Sequence, residues 1–374
     1  MKRLMLGNEA IARGAFEAGV RVATAYPGTP STEITECIAA YDEIFSEWSP
    51  NEKVALEVAI GASVAGGRAI CSMKHVGLNV AADPLFTVSY TGVNGGLVIC
   101  VADDPGMHSS QNEQDSRHYA RAAKVPMLEP ADSQECRDFV IKALELSEEF
   151  DTPFIIRLTT RISHSQSLVE IGERTEVPLR QYRKDAGKYV MMPAMARKRH
   201  VVIEERMKKL AAFAESTDLN RIEWGNNTDI GVITSGICYQ YSREAFGDDV
   251  SYLKLGMVYP LPEKLISEFA SKVKTLYVIE ELDPFIEEFL KQKGIPCIGK
   301  EKLPLTGEYS ANLIRRQLLG ISEDTGTIQE NIPVRPPVLC PGCPHRAVFY
   351  VLGKNKLTVT GDIGCYTLGS MSPL

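Results

Sequence analysis

The run of small residues between Asn51 and Gly66 constrains the fold of this chain more than any other stretch. Its alanines and glycines leave little bulk on any face of the helix that the run predicts, so a second element or a ligand can approach closely. Glu57 lies in the middle of that helix. A buried carboxylate without a partner is costly, and it would take up a proton, pair with a cation or bind a ligand. The alternative interpretation is a surface helix with one solvated glutamate.

The elements that follow this helix predict an α/β fold. A strand-like run from Arg68 to Met73 leads into a turn region with Gly77, Asn79 and Asp83, in the order that a cofactor-binding α/β layer uses. Strands and helices also alternate with short connections up to residue 170 and again from Thr228 onward. That alternation predicts parallel sheets with right-handed crossover connections.

Length and composition indicate a globular protein of two or three domains. The chain has 374 residues, of which 24% are charged and 44% hydrophobic. Its formal net charge of -7 argues against a nucleic-acid partner. No apolar run approaches the ~18 residues that span a bilayer, and the N-terminal apolar run is too short for a signal peptide. We therefore expect no membrane association and a cytoplasmic location, where most of the nine cysteines stay reduced.

Residues 26–32, YPGTPST, interrupt the pattern directly after a predicted strand from Val20 to Ala25. Ser31 or Thr32 can cap the helix that begins near Glu33. Open α/β sheets bind ligands at the carboxyl ends of their strands, although a plain structural turn has the same signature.

Three segments together resemble a known family: residues 26–32, residues 51–85, and residues 103–110, DDPGMHSS. The chain is similar, in collinear order to Leu374, to the thiamine-diphosphate-dependent 2-oxoacid:ferredoxin oxidoreductases, and within them to the alpha subunit of the indolepyruvate branch. The resemblance implies a pyrimidine-type thiamine-diphosphate-binding domain at residues 1–170 and a transketolase C-terminal-type α/β domain at residues 228–330. Residues 335–374 would begin a diphosphate-binding domain, and the basic segment 171–227 is interpreted as a linker.

The resemblance also assigns site residues. Glu57 takes the position of the glutamate that activates the cofactor, because a carboxyl group hydrogen-bonded to the aminopyrimidine ring helps the thiazolium ring to lose its C2 proton. Thr29, with Pro27 and Gly28, takes the position of the turn that contacts the cofactor and the substrate.

A polar loop from Pro105 to Arg117 has no usable period, and a solvated loop is the default interpretation. In the family this loop lies near the substrate. Arg117 and His108 are the side chains that could then bind the carboxylate of a 2-oxoacid.

Cys340 and Cys343 form a C-x-x-C pair, which alone fits half a zinc site, a redox dithiol or two ligands of an iron-sulfur cluster. The family resemblance favours a [4Fe-4S] cluster with Cys365 as a third ligand. The nearby residues 361–364 are not taken as the magnesium motif of thiamine enzymes, because the family's Mg²⁺ ligands come later in the chain. We expect most of the Mg²⁺ and iron-sulfur ligands to lie outside these 374 residues.

The resemblance implies oxidative decarboxylation of aryl pyruvates to aryl-acetyl-CoA, with coenzyme A as acceptor of the acyl group and ferredoxin as acceptor of the electrons. A smaller beta (gamma-type) subunit is the expected partner, in a dimer of heterodimers. Relative to the family pattern the chain stops early, so we expect either a truncated form or a chain whose missing part is supplied by another chain, inactive alone in both cases. Two alternatives stay open: action on pyruvate or a branched-chain 2-oxoacid, and a non-catalytic assembly subunit.

Overall fold

Residues 1–322, 333, 336–361 and 363–371 are described by the computed structural model of the chain. They divide into two units, the first covering residues 1–322 and the second belonging to residues 323–374. Arg335, Asp362 and residues 372–374, as well as the predicted domain boundary at residue 330, lie outside the described residues.

Strands and helices alternate through most of the first unit. The strands are β1 Lys2–Leu6, β2 Val22–Ala25, β3 Phe45–Trp48, β4 Ala69–Lys74, β5 Leu97–Asp103, β6 Met127–Leu128, β7 Phe154–Thr159, β8 Gln166–Glu170, β9 Arg221–Glu223, β10 Ile230–Ser235, β11 Ser251–Leu255, β12 Met257–Tyr259 and β13 Thr275–Ile279. The helices are α1 Gly7–Glu17, α2 Thr32–Ile38, α3 Glu52–Val64, α4 His75–Val80, α5 Ala82–Thr91, α6 Arg117–Ala123, α7 Ser133–Phe150, α8 Thr160–His164, α9 Ala186–Tyr189, α10 Pro193–Ala214, α11 Gly236–Phe246, α12 Glu263–Ser271, α13 Phe285–Gln292, α14 Ala311–Ile314 and, in the second unit, α15 Pro344–Lys354.

The larger sheet has the strand order β12-β6-β7-β5-β4-β2-β3, and all of its pairs are parallel except β12 with β6. Alternate residues of its central strands point to opposite faces. Ile70 and Val98 pack with α1, α2 and α7 on one face, whereas Cys71 and Ile99 pack with α3 and α5 on the other. Both faces of β4, β5 and β7 are therefore buried, as expected for a parallel sheet.

The strand order reverses at β2. The chain passes from β2 outward to the edge strand β3, and it then crosses back over β2 to place β4 on the other side. The connections after β2 and β4 therefore diverge and leave a crevice at the carboxyl ends of these two strands. In open α/β sheets such a reversal marks the ligand-binding position.

A second, smaller sheet has the order β13-β10-β11-β9, with β9 antiparallel to β11. Separately, β1 and β8 form an antiparallel pair. The residue pattern from Gly256 to Pro262, with its glycine and two prolines, predicts a turn, but residues 257–259 form β12, which adds to the larger sheet beside β6. Ile233 and Leu253 of the smaller sheet belong to the same buried cluster as Ile99 of the larger one. The two sheets therefore share one hydrophobic core.

Three further sequence predictions change in the structure. The turn region at residues 77–84 forms α4 and α5, and the helix predicted from Glu204 to Glu215 is part of the longer α10. Residues 357–360, predicted as a strand, have no strand in the structure. The other elements that the sequence predicted lie close to their predicted positions, whereas several, among them β1, β3, β8, β9, α6 and α8, were not predicted. The domain boundaries at residues 170 and 227 stay a prediction.

In the second unit, α15 is followed by a 3₁₀ turn, Cys365–Ser370. Across all described residues, the helices are too short or too polar to cross a bilayer.

A network of buried charges joins the ends of the larger sheet to the smaller one. Arg157 on β7 is 2% exposed, and its Nε and Nη1 atoms lie 2.7 Å from Asp103 and Glu129, respectively. Ser235, at the end of β10, donates a hydrogen bond of 3.1 Å to Glu129. Removing one member of such a pair leaves a buried charge without compensation, which costs more than an exposed pair contributes.

We expect Arg157→Met to lower the free energy of unfolding by about 3–5 kcal/mol, because Asp103 and Glu129 both lose their cation. Urea denaturation measures this change. Arg161→Met is the matched control, since its side chain is 56% exposed and its pair with Glu308 should contribute at most about 1 kcal/mol. Equal losses in the two variants would contradict the account.

Candidate functional site

The crevice at the carboxyl ends of β2 and β4 is the candidate site. Its walls are the turn after β2, the start of α3, the start of α4 and the loop of residues 104–116 after β5. The sequence predictions at residues 26–32 and 104–117 therefore fall on neighbouring loops at one edge of the sheet.

The turn after β2 is held by its own side chains. Ser31 donates a hydrogen bond of 2.8 Å to the Gly28 carbonyl, and the Gly28 N–H donates one of 3.0 Å to Thr32 Oγ1. A Cβ atom on Gly28 would lie 3.0 Å from the Cβ atom of Lys74. Glycine thus allows the turn to lie directly against the end of β4.

Glu52 is the first residue of α3, and its carboxyl group lies inside the protein. Asn51 caps the helix by accepting a hydrogen bond of 3.0 Å from the Val54 N–H. The Glu52 side chain is 9% exposed and packs against α4. A Cβ atom on Gly77 would lie 2.5 Å from the Cγ and Oε1 atoms of Glu52, so this close approach requires glycine.

The Glu52 carboxyl has neither an ion pair nor a side-chain hydrogen-bond donor among the described residues. Burial raises the pKa of Glu52, and a hydrogen bond from its own backbone N–H offsets part of that rise. A buried carboxyl with a raised pKa and free acceptor atoms is suited to share a proton with a bound group.

Glu57 lies elsewhere on the same helix. The prediction that the Glu57 carboxylate is buried among small residues is wrong, because its side chain is exposed. Five positions along a helix correspond to a rotation of about 140°, so when Glu52 points into the protein Glu57 points outward. The small residues nearby, such as Ala55 and Ala59, are buried because they pack against the sheet on the opposite side of α3.

Lys74, the last residue of β4, joins two walls of the crevice. Its side chain is only 6% exposed, and its Nζ atom donates a hydrogen bond of 2.7 Å to the Ser109 carbonyl. Ser109 Oγ in turn donates a bond of 3.3 Å to the Thr29 carbonyl. Burial lowers the pKa of Lys74, although the charge of Asp104 opposes that change.

Asp104 organises the loop that follows β5. Its carboxylate accepts hydrogen bonds from Ser109 N–H at 2.9 Å, Ser110 Oγ at 2.5 Å and Thr160 Oγ1 at 2.6 Å. Burial alone would raise the pKa of Asp104, but the hydrogen bonds from Ser110 and Thr160 hold it below its ordinary value.

Arg117 does not line the crevice. Its guanidinium is fully buried between Asp115 and Glu280, and it also donates hydrogen bonds to the carbonyls of Glu281 and Asp283 at 3.0 and 2.9 Å. The prediction that Arg117 binds a substrate carboxylate is wrong for this reason: its donors are used in joining α6 to the end of β13.

The other predicted site residues lie at or near the surface. Thr29 and Pro27 are exposed and Gly28 is half-buried, all at the mouth of the crevice. His108 is 46% exposed, and its Nε2 atom lies 3.3 Å from Glu308. The roles assigned to these four residues stay predictions.

The predicted cysteine ligands do not come together. Cys340 and Cys343 share a turn, in which the Cys343 N–H donates to the Cys340 carbonyl at 3.1 Å, but the two sulfur atoms and that of Cys365 do not form a group at ligand distance. Among the described residues, the ligand-type side chains that do lie together are Asp115, His118 and Asp283, of which Asp115 is already paired with Arg117.

The crevice fits the pyrimidine half of thiamine diphosphate. Glu52 offers a buried carboxyl without a side-chain partner, and the glycine at position 77 allows that side chain to lie directly against the start of α4. His75, at the start of α4, is fully buried, and neither ring nitrogen has a partner in the part of the chain that the structure describes. A ring with nitrogen and amino groups suits the unpaired Glu52 carboxyl as a hydrogen-bond partner.

Comparison with solved structures finds the same fold in two other proteins. The chain superposes on a 2-oxoglutarate:ferredoxin oxidoreductase from Magnetococcus marinus with a TM-score of 0.71 and 17% sequence identity, over 85% of this chain and 65% of that one. It superposes on a split-gene transketolase with a TM-score of 0.54 and 17% identity, over 84% and 93%. These likenesses confirm the predicted α/β fold.

Sequence comparison gives the family. Residues 13–222 match the family model described as "Pyruvate flavodoxin/ferredoxin oxidoreductase, thiamine diP-bdg", and the chain belongs to that family. It is 42% identical over 405 residues to "Indolepyruvate oxidoreductase subunit IorA" of Archaeoglobus fulgidus and 43% identical over 401 residues to that of Methanothermobacter thermautotrophicus, covering 100% of this chain in both. It is 26% identical over 327 residues to "2-oxoglutarate synthase subunit KorA" of Methanothermobacter marburgensis, covering 73% of this chain and 86% of that protein. The chain spans 65% of the length of the two indolepyruvate relatives.

Sequence reasoning missed Glu52 and Lys74. The available signal for Glu52 was its position: it directly follows a capping asparagine at the start of a helix, after a strand. Lys74 ends a strand whose other residues are apolar or small, which places a charge at the carboxyl edge of the sheet.

Glu52→Gln should stabilise the isolated chain in a pH-dependent way. Below the ordinary glutamate pKa of about 4.3, the carboxyl is protonated in both the folded and the unfolded chain. Its ionisation therefore does not lower the free energy of unfolding there. Because burial raises the pKa of Glu52, the cost of its ionised form grows above that pH. We expect the variant to exceed the wild type in free energy of unfolding by on the order of 1 kcal/mol at about pH 8, with the difference vanishing near pH 4.

Denaturant unfolding across that pH range makes this measurement. Glu57→Gln is the control on the same helix, and its exposed side chain should give no pH-dependent difference. A Glu52→Gln effect that is the same at both ends of the pH range would show that its carboxyl is not held in a protonation-sensitive environment.

Proposed function

We propose that this chain takes part in the oxidative decarboxylation of aryl pyruvates as the alpha subunit of a thiamine-diphosphate-dependent, ferredoxin-linked oxidoreductase that forms an aryl-acetyl-CoA. The observation that supports this best is the buried, unpaired Glu52 carboxyl beside the β2–β4 crevice in a chain of this family.

In this proposal Glu52, rather than Glu57, holds the aminopyrimidine ring of thiamine diphosphate. The bound cofactor supplies the carbanion chemistry that decarboxylation of a 2-oxoacid requires. Glu52 donates or accepts one proton at its carboxyl oxygen, and burial favours the protonated form by raising its pKa. The turn with Pro27, Gly28 and Thr29 closes the crevice from the side of β2 and positions the ligand.

The names of the relatives support the aryl substrate. Relatives at 42% and 43% identity are named for indolepyruvate, whereas the one named for 2-oxoglutarate is 26% identical. That weaker similarity favours a second candidate substrate, another 2-oxoacid. The crevice geometry described here would also serve any member of this substrate class. Competition between indolepyruvate and 2-oxoglutarate in the assembled enzyme distinguishes the two.

The proposed assembly includes components outside this chain. They are Mg²⁺ for the diphosphate, [4Fe-4S] clusters, a smaller beta subunit in a dimer of heterodimers, ferredoxin and coenzyme A, in the cytoplasm. Cys340, Cys343 and Cys365 are proposed cluster ligands that would have to move together on assembly. The division into a pyrimidine-binding domain, a linker, a transketolase C-terminal-like domain and the start of a diphosphate-binding domain is part of the same proposal.

Glu52→Gln should lower the turnover of indolepyruvate by the assembled enzyme about 100-fold or more, because glutamine cannot exchange a proton with the cofactor. Glu57→Gln, on the same helix, should stay within about three-fold of the wild type. Reduction of ferredoxin in the presence of coenzyme A and thiamine diphosphate measures both variants.

If Glu57→Gln abolishes turnover and Glu52→Gln does not, the roles of the two glutamates are reversed. If wild-type complex binds no thiamine diphosphate in calorimetry, the enzymatic proposal fails and a non-catalytic assembly role replaces it.

A further inference from the structure

Lys74 is a buried cation at the candidate site that no carboxylate neutralises by direct contact. Within the described residues it forms no ion pair, and its Nζ atom makes one hydrogen bond, to the Ser109 carbonyl. An ammonium group has three donors, so two N–H groups of Lys74 have no protein acceptor. A buried charge with unused donors at the edge of a crevice is an anion-binding arrangement.

The nearest acidic side chain does not use these donors. Asp104 influences Lys74 through its charge, but its oxygens are occupied by Ser109, Ser110 and Thr160. Arg117, the cation that the sequence suggested for substrate binding, is enclosed by Asp115 and Glu280. Lys74 is therefore the buried cation available at the carboxyl ends of β2 and β4.

The position of Lys74 is better suited to a residue that binds the substrate than to one that only stabilises the fold. Its Cβ lies against Gly28 of the turn after β2, and its Nζ reaches the loop that follows β5. Glu52 approaches the same crevice from α3 and packs against Gly77, three residues after Lys74 in the chain. A 2-oxoacid bound beside a cofactor held by Glu52 would bring its carboxylate within reach of Lys74.

We propose that Lys74 binds the carboxylate of the 2-oxoacid substrate. The contact orients the acid so that its carbonyl carbon meets the cofactor, and the bond to Ser109 keeps the ammonium in place. This inference rests on the proposed decarboxylase function and adds to it the group that recognises the common feature of all 2-oxoacids.

Two other roles for Lys74 give different results. The lysine could merely anchor the loop of residues 104–116 through the Ser109 carbonyl, or it could bind the diphosphate of the cofactor. Lys74→Gln keeps a hydrogen-bond donor for Ser109 and removes the charge, whereas Lys74→Met removes both. Lys208→Met is the control, because Lys208 is an exposed lysine on α10, paired with Glu205 at 2.7 Å.

The experiment uses the assembled enzyme and three probes. Indole-3-lactate has the substrate carboxylate but cannot be decarboxylated, its neutral amide lacks the charge, and thiamine diphosphate reports on the cofactor site. We expect Lys74→Met and Lys74→Gln both to weaken the binding of indole-3-lactate in calorimetry by about 10- to 100-fold. The amide and thiamine diphosphate should bind as to the wild type, and the KM for indolepyruvate should rise by the same factor with kcat within about three-fold.

Four results would overturn the inference. Wild-type binding in Lys74→Gln would assign the residue to loop anchoring, and a loss of thiamine diphosphate affinity would assign it to the diphosphate. If both Lys74 variants keep wild-type binding of indole-3-lactate and wild-type KM while Glu52→Gln is inactive, the proposed function stands but Lys74 has no part in it. A wild-type complex that binds neither the cofactor nor the lactate would instead overturn both proposals.

Discussion

The crevice at the candidate site exists because the chain crosses over β2 between β3 and β4. A parallel sheet aligns the carboxyl ends of its strands, and the reversal separates the connections after β2 and β4, so that a ligand can reach the sheet edge. The same crossing starts α3 next to α4 and so brings Glu52 against Gly77. The position of the carboxyl group is thus a consequence of strand order rather than of any local motif.

Buried ionisable groups in this chain fall into two kinds. Arg157 and Arg117 are enclosed by carboxylates and join the two sheets, so their charges are compensated within the protein. Glu52 and Lys74 are also buried, yet neither has a counter-ion in direct contact in the described part of the chain. A buried charge with a counter-ion in contact stabilises a fold at best modestly. A buried charge without one is costly, and such charges are retained where a bound ligand supplies the missing partner.

The sequence predicted the α/β fold and most of the elements, because strands buried on both faces and helices with small residues give strong periodic signals. It could not place side chains around a helix that is small on all sides, so it pointed to Glu57, whose side chain is exposed, and did not indicate that Glu52 is buried. The prediction that Arg117 binds the substrate was wrong for another reason. Its partner Glu280 is 163 residues away in the chain, and no local sequence pattern indicates that contact. For the same reason the sequence predicts a turn where β12 lies, since its partner β6 is also far away in the chain.

The central claim is that Glu52 meets the aminopyrimidine ring of thiamine diphosphate in this crevice. An experimental structure of the assembled enzyme with the cofactor bound tests it most directly, through the distance from the Glu52 carboxyl to the nearest ring nitrogen. The account predicts a hydrogen bond of about 2.6–3.2 Å. A ring that lies against Glu57, or beyond hydrogen-bond reach of Glu52, would contradict it.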